Sequence, residues 1–181
     1  MMKMKKTSML VLGLAFAIAL LPVSSYAQST TEEPVSEEGC TMAKAKIATH
    51  ATAATAAQTD HVKKYAAIKD SIDTLVSSAT DAEYTDVATL TAARDNVTIA
   101  INNYTTQAKV YSTALDKAQA AVCGEEAGQF TDTLTAARIE LGKTRTSSLA
   151  VKTSVTKSAV PALQAYASWL KASTETAQEK V

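Results

Sequence analysis

The chain has few of the residues that usually build a catalytic centre: two histidines, two cysteines, one tryptophan and two phenylalanines in 181 residues. Both histidines fall in the stretch THATAATAAQTDHVKKY, as His50 and His61. Eleven residues of helix is three turns, so the two rings share a face but stand about 16 Å apart along the axis, too far for one ion. Neither has a His, Asp or Glu one turn away: His50 is flanked by Lys46, Ile47, Ala53 and Ala54, and His61 by Ala57, Gln58, Lys64 and Tyr65. A two-ligand helical metal motif needs such a neighbour. His61 is therefore expected to be a packed histidine hydrogen-bonded by a polar residue near Ile101 and Tyr104, and His50 to be on the surface. There is no glycine-rich phosphate loop and no nucleophile elbow. The sequence points to no catalysis, no cofactor and no metal.

Glycine and proline are also scarce. Past residue 40 there are only Gly124, Gly128, Gly142 and Pro161. Long stretches without breakers call for long helices. Alanine and threonine make up about a third of the chain. Threonine is some tenths of a kcal/mol poorer than alanine in a helix, so packing must help.

No charge of either sign dominates, with 18 basic and 18 acidic residues. That excludes a basic footprint for nucleic acid and a polybasic membrane patch. Long apolar runs are absent with one exception, Met9 to Leu21, which follows Lys3, Lys5 and Lys6 and precedes Ser25-Tyr26-Ala27. This is the pattern of a secretory signal peptide over 1–27, cut after Ala27. The run is shorter than the roughly 20 residues of a membrane span, so no stable span is expected after cleavage. Removing the three lysines leaves a net charge near −3 on a mature chain of about 154 residues, the size of one domain. Residues 28–38, QSTTEEPVSEE, read as a flexible acidic leader, and 39–178 as a single helical domain. The expected destination is the cell exterior, the periplasm or the cell surface.

In an exported protein, two cysteines read as one disulfide, Cys40–Cys123. The hydrophobic pattern gives this a geometry. Stepping by three and four from Val87 passes through Leu90, Arg94, Val97, Ile101, Tyr104, Ala108, Tyr111, Leu115, Ala118 and Val122. All but Arg94 are apolar or aromatic, a heptad seam of the coiled-coil kind. A weaker seam precedes it, Ile47 through Tyr65 and Ile72 to Leu75. A third follows, Phe130 through Ala137, Thr144, Val151 and Ala165 to Trp169, with a polar middle. If the first two helices fold back near residues 80–83, Cys40 and Cys123 are equally far from the turn and meet at the open base. The expected fold is all-α: an antiparallel up-down-up three-helix bundle whose third helix is kinked or broken near Pro161. Thr80 and Glu83 have capping-box spacing for the second helix, Gly124 suits the residue just past its end, and Thr131 or Asp132 suits the start of the third.

Arg94 is the one charged residue on a seam. It either lies out over the apolar stripe or binds an anion or a partner carboxylate. Tyr84, Tyr166 and Trp169 should gather at the turn end, where they either form an exposed contact site or cap the core. The sequence TLTAAR occurs at 89–94 and 133–138, each time after an aromatic-Thr-Asp triplet; it reads either as a trace of duplication or, in so biased a composition, as two similar helix starts, the favoured reading.

The layout of Cys40, His61 and Tyr65, Ala121-Val122-Cys123, and Ala137-Arg138 resembles secreted bacterial helical-bundle proteins with two cysteines, for which no activity is known. The resemblance implies no function. From the residues, the expectation is an exported structural or interaction protein that presents a long helical surface to a protein partner or to a second copy. The alternatives are a periplasmic holdase-like chaperone with helical arms, and a metal-binding or enzymatic protein using His50 and His61.

Overall fold

The computed structural model describes residues 37–124 and 128–178. The signal peptide expected over 1–27 and nearly all of the leader expected over 28–38 lie outside them. Every regular element among the described residues is helical: α1 (Glu37–Asp81), α2 (Val87–Ala121), α3 (Gln129–Ser154), a π turn (Val155–Ala159) and α4 (Val160–Gln178). The fold is an all-α helical bundle. Helix α1 starts at Glu37, two residues inside the stretch expected to be leader. Its 45 residues make a rod of roughly 68 Å.

Helix α2 is the centre. It packs along both α1 and α3, and its buried stripe is broad: the seam residues Leu90, Val97, Ile101, Tyr104, Ala108, Tyr111, Leu115 and Ala118, with Ala93, Ala100 and Ala121 beside them. Heptad spacing supplies the first set. The extra alanines turn one seam into two faces and let the neighbouring backbones approach. Along α1 and α2 the partners run in opposite order, with Cys40 at Cys123, Gln58 at Ser112 and His61 at Tyr104. Between α2 and α3, Tyr111 meets Ala137 and Gln107 meets Glu140, and Tyr84, in the turn ahead of α2, meets Tyr166 of α4.

Cys40 and Cys123 form a disulfide with Cα atoms 5.6 Å apart, closing a loop of 83 residues. In the chain-entropy account such a closure contributes up to about 4.5 kcal/mol. Cys123 lies one place off the seam, and the helix end accommodates this. Helix α2 stops at Ala121, Val122 becomes extended (φ −62°, ψ 123°), and Cys123 takes φ 67°. The left-handed residue after α2 is thus Cys123 and not Gly124, which instead donates its N–H to the Ala121 carbonyl at 3.1 Å.

The first turn also differs from expectation. Thr80 still belongs to α1 and donates its hydroxyl to the Val76 carbonyl at 2.9 Å, so no capping box forms. Glu83, at φ 54°, ends α1. Its N–H reaches the Thr80 carbonyl at 3.0 Å, and the Tyr84 N–H reaches back to the Ala79 carbonyl at 2.9 Å. These are the two bonds of a Schellman motif, and the residues it joins, Ala79 and Tyr84, are both buried. Residues with capping-box spacing here serve the end of one helix instead of the start of the next. Helix α2 begins after Asp86 with no side-chain cap. Helix α3 begins at Gln129, earlier than Thr131, from a left-handed Gly128 (φ 85°), with Asp132 in its first turn.

At Pro161, where a kink or break was expected, the chain has the five-residue π turn, and the flanking Ser154 and Val160 keep right-handed helical dihedrals. Val160 donates to the Val155 carbonyl, five residues back. Proline lacks an N–H and its ring strikes the carbonyl four residues earlier; a widened turn just ahead of it relieves both demands. A π turn holds one extra residue, and the core shows it. Burial passes from Thr144 and Val151 to Ala159, Ala162 and Tyr166, with eight residues between Val151 and Ala159 where a heptad has seven. Ala165, expected on the seam, is therefore exposed and Tyr166 takes its place. A similar slip at the end of α1 buries Val76 and Ala79 and leaves Leu75 outside.

Candidate interaction surface

The two histidines stand apart in role as well as distance. His50 is exposed. His61 is half-buried, with Nδ1 3.0 Å from the Tyr104 hydroxyl. Tyr104 packs edge-on against Tyr65, centroids 5.0 Å apart, and the Tyr65 hydroxyl lies 2.8 Å from Ser148 Oγ. His61 and Tyr65 from α1, Tyr104 from α2 and Ser148 from α3 thus give the middle of the bundle a polar seam. Burial pushes the Tyr104 phenol up to about 12, with a smaller contribution from Tyr65. A phenol held neutral can share a hydrogen bond with a histidine without placing a charge in the core. Nearby, Thr144 is buried and donates to the Glu140 carbonyl at 2.8 Å. No group of three or more His, Cys, Asp or Glu able to hold a metal exists among the described residues.

At the turn end, Tyr84, Tyr166 and Trp169 do assemble. Their ring centroids are 5.1 Å (Tyr84–Tyr166), 5.2 Å (Tyr84–Trp169) and 6.1 Å (Tyr166–Trp169) apart. Of the two roles the sequence allowed, burial follows the second: Tyr84 and Tyr166 are buried and cap the core, while Trp169 is half-exposed. An exposed aromatic tip is not formed by the two tyrosines. Arg94, the other candidate contact, finds its carboxylates inside the chain. Its Nε donates to Asp95 Oδ1 at 2.9 Å, and Asp73 of α1 lies 3.9 Å away. The cation leans out between α1 and α2 and links them.

Apart from Arg138, the most distinctive surface was not among the residues the sequence singled out. It is one row of α3: Arg138, Gly142, Arg145, Leu149 and Lys152, all exposed. Spacings of four and three put them on one face, with the three cations seven residues apart, about 10.5 Å per step. Leu149 keeps 58% of its surface in water between Arg145 and Lys152. Some cations elsewhere are matched within their own helix: Lys64 with Asp60 at 2.7 Å, Lys69 with Asp73 and, in α3 itself, Lys143 with Glu140 at 2.7 Å; others, Lys109 and Lys117 of α2 among them, have no ion pair among the described residues but share no row with an exposed apolar residue and a glycine. Arg138, Arg145 and Lys152 have no ion pair among the described residues. The reason is in the sequence, which has no Asp or Glu from Leu141 to Thr174. That acid-free run was readable from the sequence, but net charge near zero hides it, and only the fold shows that the cations align on an outer face.

The described residues define an all-α bundle whose apolar core carries one polar seam, His61, Tyr104, Tyr65 and Ser148. No described helix is long and apolar enough to cross a membrane. No protein-family model, no curated protein and no solved structure matches the chain.

Proposed function

We propose that this chain is an exported helical-bundle protein that works without catalysis, by presenting a long helical surface to another envelope or surface protein. Export rests on the signal-peptide pattern of the first 27 residues. The single observation that carries the binding role is the exposed face of α3, where unpaired cations and Leu149 share one row (Arg138 to Lys152). A helical rod places that row on a straight line of about 21 Å, a suitable frame for another elongated partner. Interface centres favour aromatic residues, methionine and arginine over lysine and acids, and the row carries two arginines, Arg138 and Arg145.

The test is a photo-crosslinking residue at Leu149, introduced in the producing cell, with His50 as the control position on α1. Discrete adducts from position 149 that are absent from position 50 support the proposal. Equal, diffuse or absent adducts at both positions overturn it.

A holdase-like role is the second reading. Ile99, Val110, Ile139 and Leu149 are all exposed large apolar residues, which a chaperone surface needs. It predicts that the purified protein suppresses aggregation of a chemically denatured client at near-equal molar ratio. A protein that leaves the aggregation rate unchanged is not a holdase.

A further inference from the structure

We infer that the row Arg138–Gly142–Arg145–Leu149–Lys152 is a docking track for an acidic α-helix of another protein, one that carries carboxylates at seven-residue spacing. The inference rests on the binding role proposed above and names the chemistry of the partner.

Three independent features of the row agree. The first is charge: three cations at heptad spacing with no acidic partner among the described residues. The second is Gly142. A glycine inside a helix is about 1 kcal/mol worse than alanine, and this chain uses alanine freely. A Cβ built at Gly142 would meet nothing within 4 Å, so no packing inside the molecule requires the glycine. Its bare backbone, flanked by Arg138 and Arg145, admits close approach from outside, as small residues do where two helices cross. The third is Leu149, exposed beside Arg145 and Lys152, an apolar anchor one turn along the same line.

A second copy is a poor occupant. Two such rows laid together would oppose cation to cation, and no two acids of one described helix of this chain lie seven apart. A flat anionic surface fits less well than a helix. It would draw on cations around the rod, gain nothing from a bare backbone, and have no use for a narrow line of period 10.5 Å. An acidic helix matches the period, fills the space above Gly142 and covers Leu149.

The probe is a fluorescein-labelled synthetic helix of four heptads, alanine-based, with glutamate at every seventh position and leucine beside it. A second probe has glutamine for glutamate. Binding to the protein purified after export is read by fluorescence anisotropy at about 50 and 200 mM salt, where screening differs measurably. The Glu helix is expected to bind at least about tenfold more tightly than the Gln helix. Arg145→Glu should remove that preference. Gly142→Leu, which changes no charge, should weaken binding by about tenfold by blocking close approach. Both positions are exposed, and circular dichroism of each variant checks that the bundle is intact.

Equal binding of the two probes, or full binding by Gly142→Leu, overturns the track. So does retention of the protein on phosphatidylglycerol vesicles, lost in Arg145→Glu, when the Glu helix does not bind. If the peptide fails while Leu149 still gives discrete adducts in cells, the partner is not an acidic helix but the binding role stands. If both fail, the binding role falls as well.

Discussion

The contact between His61 and Tyr104 is legible in the sequence itself. Folding the first two heptad seams against each other puts His61 near Ile101 and Tyr104, and the ring is hydrogen-bonded there. The partner of Tyr65 could not be placed in the same way. Ser148 lies on the third seam, whose polar middle hid its register, and the bond between them spans two helices that are not neighbours in the chain. Tyr104 also makes the core sensitive to high pH. Its folded value of about 12 exceeds the ordinary phenol value near 10. Over that interval the native chain keeps a proton that the unfolded chain has lost. The contribution to stability is full below about pH 10 and is lost as pH rises toward 12. Tyr111 is raised by burial too, partly offset by the Arg145 charge, and acts in the same direction. Urea unfolding of wild type and Tyr104→Phe between pH 8 and 11.5 should show a steeper loss above pH 10 in wild type. Parallel curves would mean that the phenol is not held neutral by the core.

Elements were more legible than their ends. Three long helices follow from scarce breakers and from seams that hold for many turns, because heptad burial is a property of many residues together and tolerates local errors. Their boundaries depend on a few hydrogen bonds that several residues could make. Thr80 and Glu83 have the spacing of a cap for α2, yet the same residues close α1, because the Schellman turn lets both Ala79 and Tyr84 be buried. The π turn was invisible for a related reason. A seven-residue pattern extrapolates through Pro161 without a break, and only the identity of the buried residue beyond it, Tyr166 in place of Ala165, reveals the inserted position. The first turn yields a direct prediction. Glu83 sits at φ 54°, a conformation that disfavours any residue with a Cβ. Glu83→Gly should relieve about 0.5–1 kcal/mol, net of the greater freedom of the unfolded chain, and raise the melting temperature by about 1–4 °C. Glu83→Ala should do neither. A glycine variant that melts at or below wild type would show that the carboxylate, and not the backbone, matters at this site.

For the whole molecule, the disulfide lies where the apolar core is thinnest. Along α1 the buried and half-buried seam near the base is Ile47, Ala51 and Ala54, whereas toward the turn it is Tyr65, Ile72, Val76 and Ala79. Hydrophobic stabilisation scales with apolar area, at about 25 cal/mol per Å², so two alanines hold far less than a tyrosine and an isoleucine. The turn end is further held by Tyr84, Tyr166 and Trp169. The base has the Tyr111, Leu115 and Ala137 cluster, but there α1 contributes only small side chains to it. Cys40–Cys123 joins α1 to α2 at this weak end. Helix α3 needs no such link because it follows the broad second face of α2. Reduction should therefore act locally first. In the Cys40→Ser/Cys123→Ser protein, hydrogen exchange should speed up in residues 41–57 while 61–79 and 90–118 keep their protection, and global stability should fall by up to about 4.5 kcal/mol. Helix content at 25 °C should stay close to that of the oxidised protein. Uniform loss of protection along all three helices would mean that the clasp secures the entire bundle and not its alanine-lined base.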